Sequence, residues 1–200
     1  MSDEIKQVSL AASTANPAAL GLSGFALTTF VLSMINAGLW SAGGLAAVIA
    51  LAFFYGGLAQ LLAGQQEYKK GNTFGATAFS TYGAFWLTVA FWLLMTALGA
   101  FNGLQLPSAH ALGYILIGFT VFNTYMVVGS FKTDTATMLV FVFLEITFIL
   151  LDFGEFGSGA CHTLGGYFGI ITALVAWYAS AAIVINSTFK KVVLPLGPLS

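Results

Sequence analysis

Arginine is missing from this chain altogether, and lysine occurs six times in 200 residues. Charged residues of both signs make up 6% of the composition, where a soluble domain carries about 25%. The formal net charge is −1, so there is no basic surface to suggest a nucleic-acid partner. Cys161 is alone, which excludes an intrachain disulfide and leaves the redox compartment unread. The two histidines, His110 and His162, stand far apart, so no metal-ligand cluster can be drawn from the sequence. They are expected near the outer ends of two spans, at the interface and not in catalysis. Gly-x-Ser-x-Gly, P-loop and dinucleotide fingerprints are absent too. No enzyme constellation remains, and no cofactor is implied.

What the chain has is apolar surface. Hydrophobic residues make up 58% and the mean hydropathy is +0.92. No soluble core of this size hides so much, so the solvent is lipid. Residues 1–15 form a polar tail, with no basic region ahead of a short apolar stretch and no cleavage site, and so do not read as a secretory signal. Apolar runs come next, at Leu20–Leu39, Leu45–Leu62, Phe74–Ala100, Ala111–Val128, Met138–Phe153 and Leu164–Ile185. Each is close to the roughly 20 residues a helix needs to cross the hydrocarbon. Between them lie Trp40–Gly44, the charged stretch Gln65–Asn72, Asn102–His110 with Pro107, Lys132-Thr133-Asp134 and the Gly-rich Gly154–Cys161. The expected fold is an all-α integral membrane protein of six transmembrane helices spanning 16–189, with a second tail at 190–200.

The lysines test that count. With six spans, Lys6, Lys69, Lys70, Lys132, Lys190 and Lys191 all fall on one side, which the positive-inside rule makes cytoplasmic, with both termini. Gly99 with Gly103, and Gly165 with Gly169, have the small-xxx-small spacing of touching membrane helices. Gly118 and several other glycines add thin spots.

Asn16-Pro17-Ala18-Ala19-Leu20-Gly21-Leu22 opens the apolar part of the chain. Asn is a good N-cap and Pro fits the first helical position, where its missing N–H is no loss. The small residues after it keep the first turns thin, and the free N–H groups there suit a carboxylate. A plain capped helix start explains the same residues. A second stretch runs Tyr55-Gly56-Gly57-Leu58-Ala59-Gln60, Ala63-Gly64, Glu67-Tyr68-Lys69-Lys70-Gly71-Asn72-Thr73-Phe74-Gly75, then Ala78-Phe79-Ser80-Thr81-Tyr82-Gly83-Ala84-Phe85-Trp86. In order, these stretches resemble the succinate–acetate permease family (acetate uptake transporters). The opening resembles its N-P-A-P-L-G-L signature, with Ala19 in place of the second Pro. The second half resembles the family in helix pattern alone.

The resemblance implies transport of acetate, and of succinate or other small carboxylates, across a cell inner membrane. It also implies proton coupling and a homohexamer with a pore in each subunit. Carried over by motif, Asn16 and Pro17 would cap the helix at the cytoplasmic mouth, and Gln60, Asn72 and Thr73 would line the way in. The family's pore narrows at an aromatic–aliphatic constriction. Phe25 and Tyr82 would be two of its members, and helix 5 would supply the third, as Ile146 or Leu144.

The residues themselves allow a related argument. No lysine lies inside a span, so an anion crossing here meets no fixed cation. A bare carboxylate in a dry constriction costs many kcal/mol, whereas protonating an acid of pKa ~4.3 at pH 7 costs only about 3.7 kcal/mol. A small weak acid is therefore expected to cross neutral, or with a proton alongside. Candidate polar groups are Asn36, Gln60, Thr73, Tyr82, Thr88, Asn123, Tyr125, Thr147 and Tyr178, with Phe25, Phe85 and Trp86 as apolar walls. Each polar group could equally bond a neighbouring helix. Glu145 falls mid-span, with Asp152 two turns on along the same face. It is either a proton site or an acid bonded between helices or at a subunit contact. A passive channel for small neutral solutes (undissociated acid, urea or ammonia) is the alternative, and a scaffold without transport a third.

Overall fold

The computed structural model describes residues 15–103 and 110–199, so the tail with Lys6, and Pro107, lie outside the described residues. Among those described, six helices are long and apolar enough to cross a bilayer. They are α1 (Ala18–Asn36), α2 (Ala42–Lys69), α3 (Thr73–Ala97), α4 (Ala111–Ser130), α5 (Thr135–Glu155) and α6 (Gly159–Phe189). One short turn, Ala100–Gly103, follows α3. The chain is an all-α membrane protein with six spans.

Polar residues set the helix starts. Asn72 Oδ1 accepts from Gly75 N at 3.1 Å, Asp134 Oδ1 from Thr137 N at 2.9 Å and Ser158 Oγ from Cys161 N at 3.3 Å. Each satisfies one of the donors a helix leaves open at its first turn. At α1, Asn16 Oδ1 accepts from Ala18 N at 3.2 Å, and Pro17 is the capping position itself. The helix thus starts one residue later than expected.

Two expectations need correction. The stretch from Gln65 to Lys69 is the end of α2 and not loop. Gln, Glu and Lys are good helix formers, so the polarity marks where α2 leaves the hydrocarbon and not where it ends. Gly99 lies beyond the end of α3 and not within a helix. Its φ of +67 places it in the left-handed region, and its N–H donates to the Thr96 carbonyl, so it terminates α3. Gly165 and Gly169 do lie in contacts, against Leu151 of α5 and Ser33 of α1 respectively, while Gly118 faces open space.

In α2 the register changes from α to π over Phe54–Ala59. A methyl at Gly56 would come within 2.7 Å of Thr28 Oγ1 and 2.8 Å of Trp86 Cγ. Only glycine lets α1 and α3 close on α2 at this level. The extra residue of a π-turn rotates the rest of the helix, and Gln60, the next residue, points inward and is buried.

Neighbours in sequence are neighbours in space, and α6 closes the ring on α1; the α3–α4 contact is the thinnest. The face of α6 turned to its neighbours is all small, with Gly165, Gly166, Gly169, Ala173, Ala176, Ala179 and Ala182 buried. Phe54, Leu98, Val121, Val128 and Phe153 point outward and are exposed, as on a lipid-facing surface. Residues 191–199, expected as a tail, lie back over the start of α5. Asn186 holds them through Val193 N, Leu194 N and the Leu194 carbonyl, and Leu199 N donates to the Thr133 carbonyl at 3.0 Å.

Candidate transport pathway

Two cavities lie within the ring. The first, of about 240 Å³, opens at the end that carries Lys70, and its lining includes Asn16, Leu22, Gln60, Glu67, Asn72 and Asp134. The second, of about 320 Å³, lies toward the other end and is lined by Thr29, Asn36, Trp86, Thr147, Glu155 and His162 among others. Phe25 and Leu144 line both. Tyr82 lines the first and Phe85 the second.

Between the cavities the pathway is closed by packed rings. Phe25 and Tyr82 stand 5.9 Å apart by ring centroids, and Tyr82 stacks on Phe148 at 6.5 Å. Phe85 meets Phe148 edge-on at 5.7 Å. Phe25, Tyr82 and Leu144 are 4%, 3% and 4% exposed, so no open passage remains at this point. α1, α3 and α5 each supply one member.

Of the pathway residues singled out from sequence, Asn16, Phe25, Gln60, Asn72 and Tyr82 line the first cavity, and Phe25 and Phe85 the second. Pro17, Thr73 and Ile146 line neither. Pro17 is buried at the helix cap, and Thr73 is exposed at the first position of α3. Ile146 is two residues from Leu144, which turns it about 200° around α5 at roughly 100° per residue. The α5 residue at the constriction is therefore Leu144.

Tyr82 is held from behind. Its hydroxyl donates to Asn123 Oδ1 at 2.6 Å. Asn123 Nδ2 in turn donates to the Phe141 carbonyl at 3.0 Å and to Glu145 Oε2 at 2.7 Å. Thr124 Oγ1 donates to Glu145 Oε1 at 2.7 Å. Glu145 lines neither cavity; it sits between α4 and α5, with both oxygens accepting. Asp152 faces α4 in the same way, through Thr120 Oγ1 at 2.7 Å. Among the other polar candidates, Thr88 bonds its own helix and Tyr178 donates to the Pro195 carbonyl.

Sequence reasoning missed several groups. His110 and His162 both reach Glu155: His110 Nδ1 lies 2.7 Å from its carbonyl and His162 Nδ1 3.8 Å from its carboxylate. Glu67 reads in sequence as part of a surface charge run, yet it is fully buried. Its Oε2 accepts from Asn72 Nδ2 at 2.8 Å and lies 4.0 Å from Lys70 Nζ. Lys70 also reaches Asn16 Oδ1 at 3.5 Å, so Asn16, Lys70, Glu67 and Asn72 form one polar rim. The clue was the spacing Gln60 to Glu67, seven residues on one helix face. Among the described residues no metal-binding group of His, Cys, Asp and Glu is present.

Six spans enclosing two cavities that meet at an aromatic–aliphatic constriction define a membrane transporter or channel. The profile of the GPR1/FUN34/yaaH family matches residues 4–200, and the chain belongs to that family. It is 42% identical to the succinate-acetate/proton symporter SatP of Escherichia coli K12, over 92% of this chain and 95% of that protein. It is 43% identical to acetate permease A of Emericella nidulans, over 92% of this chain and 66% of the longer fungal protein. The solved structure of the bacterial acetate channel SatP superposes with a TM-score of 0.84 at 41% identity, covering 92% of this chain and 100% of that one.

Proposed function

We propose that this protein carries acetate, and other small carboxylic acids such as succinate, across a cell inner membrane, the acid passing the Phe25–Tyr82–Leu144 constriction with a proton. The observation that carries this is the constriction itself. It is apolar, and the cationic side chain among the cavity linings, Lys70, is at the mouth of the first. A carboxylate in so dry a place has no counter-charge, whereas the neutral acid needs only the apolar walls and a few hydrogen bonds. The two similar bacterial proteins and the fungal permease, named for acetate or succinate, support the substrate class.

The end bearing Lys69, Lys70, Lys132, Lys190 and Lys191 is taken as cytoplasmic, on the rule that Lys-rich loops stay inside. Asn16, Pro17, Asn72 and Thr73 then belong to the cytoplasmic mouth. Both cavities and the constriction lie within one chain, so the homohexamer proposed from the family resemblance would contain one pore per subunit.

Labelled acetate uptake into proteoliposomes tests the proposal. At equal total acetate, uptake is expected to be faster at pH 5 than at pH 8, and an inward proton gradient is expected to drive accumulation altered by Tyr82→Ala. A flat pH profile sinks the neutral-acid route. The similar proteins are named both symporter and channel, and dissipation without accumulation would favour the channel. No uptake above empty liposomes would discard transport.

A further inference from the structure

Glu67 is the most unusual titratable group on the pathway. It is 0% exposed in the last turns of α2, close to the lysine-bearing mouth. One oxygen is accounted for by Asn72 and Lys70, but Oε1 has no partner in the protein. Gln60, two turns earlier on the same face, is 1% exposed and its Oε1 is likewise unpartnered. Both residues line the first cavity, on the Lys70 side of the constriction. Two buried, unpartnered acceptors on residues that line one cavity call for a ligand that brings a donor. A carboxylate brings none. A protonated carboxyl group brings one.

We infer that Glu67 and Gln60 form a subsite for the carboxyl group of the substrate, occupied only when substrate and Glu67 hold one proton between them. This rests on the acid-transport function proposed above and adds where the proton is required. The substrate O–H donates to Glu67 Oε1, and the proton lies between the two oxygens. No bond to carbon changes. On departure the proton leaves with the acid or stays on Glu67 and passes to water at the mouth. Two carboxylates so close cannot both be charged, so the anion alone is refused.

Groups from several elements surround Glu67 and the cavity it lines. Lys70, the residue that caps α2, lies 4.0 Å from Glu67. The start of α3 packs against it through Gly75, and its first-turn dipole favours negative charge. From the N-cap of α5, Asp134 lines the same cavity as a second acid, and from α3 the one titratable lining group is Tyr82 at the far end. α1 and α6 contribute Leu22, Phe25 and Ile183 to that lining, none of which titrates.

The test is the pH dependence of initial acetate uptake in proteoliposomes between pH 6 and 8, with the membrane potential clamped by potassium and valinomycin. Above its pKa the protonated fraction of a weak acid falls about tenfold per unit, and wild type is expected to follow that slope without responding to voltage. Glu67→Gln keeps an acceptor for Asn72 Nδ2 but removes the titrating group and offers the anion a donor. Its slope is expected to flatten and its uptake to become voltage-dependent, while Glu67→Asp restores the steep slope. A Glu67→Gln protein with the wild-type slope and no voltage response overturns the inference while leaving acid transport standing; no uptake by wild type removes both. Gln60→Leu gives an independent reading: KM is expected to rise several-fold with the slope kept, and an unchanged KM refutes the acceptor pair.

Discussion

The link between Tyr82, Asn123 and Glu145 makes a quantitative claim about the constriction. A leucine side chain has nearly the shape of asparagine and none of its hydrogen bonds. Asn123→Leu therefore strips the buried Tyr82 hydroxyl of its 2.6 Å acceptor and Glu145 Oε2 of its 2.7 Å donor. Leaving a buried hydrogen-bonding group unpaired costs about 1–3 kcal/mol, so roughly 2–4 kcal/mol is expected for the two together. Tyr82→Phe removes the hydroxyl and leaves Asn123 Oδ1 unpaired, at about 1–2 kcal/mol. In the double variant the hydroxyl that Asn123→Leu alone would strand no longer exists. The Asn123 Oδ1 that Tyr82→Phe alone would strand is gone as well, so the double variant should be more stable than the sum of the singles by about 2–3 kcal/mol, at the upper end of the range for residues in one network.

Thermal unfolding of the purified protein in detergent, compared as a double-mutant cycle, measures that coupling. Acetate uptake reads the consequence for transport: Asn123→Leu frees the gate ring and should change the ratio of propionate to acetate uptake, while Tyr82→Phe, which keeps the ring packed between Phe25 and Phe148, should change it less. Single-variant costs that add to within about 0.5 kcal/mol would refute the argument, because independent sites behave that way.

Other expectations come from the same geometry. Leu144→Ala should raise propionate uptake relative to acetate by roughly tenfold, about the worth of one methylene in an apolar pocket, whereas Ile146→Ala should leave the ratio alone; competition uptake assays decide. Gly56→Ala should destabilise the fold by about 1–3 kcal/mol, since the new methyl meets Thr28 and Trp86 and the core must shift; a melting curve unchanged from wild type would contradict the packing. Asn186→Leu removes the three bonds that hold residues 193–194, at about 2 kcal/mol, and should make the segment 191–199 sensitive to limited proteolysis.

Much of this architecture was legible in the sequence because one physical length governs it. The hydrocarbon thickness sets how long an apolar run must be, so six runs yield six spans, and the lysines sort themselves to one end. Helix ends were less legible, since polarity reports where a helix leaves lipid. Glu67 shows the consequence: beside Lys69 and Lys70 it reads as solvated charge, yet α2 continues through it and turns it into the cavity. Motifs carried Phe25 and Tyr82 to the constriction, but choosing between Leu144 and Ile146 required the rotation of α5, which no apolar run of that length reveals. Glu145 was conspicuous as an acid in mid-span, but its partners lie 21 and 22 residues away on α4. That pairing argues against the simplest role for it. An amide stands between Glu145 and the gate, accepting from Tyr82 through its oxygen and donating to Glu145 through its nitrogen, so a proton cannot hop along this line without leaving Asn123 in an unfavourable tautomer. The bonds in hand place Glu145 behind the constriction, holding Asn123, which in turn accepts from the Tyr82 hydroxyl. Under the acid route proposed above, the proton would have to meet an acceptor on a residue lining the cavity, and on the lysine-bearing side of the constriction Glu67 Oε1 is buried and unpartnered.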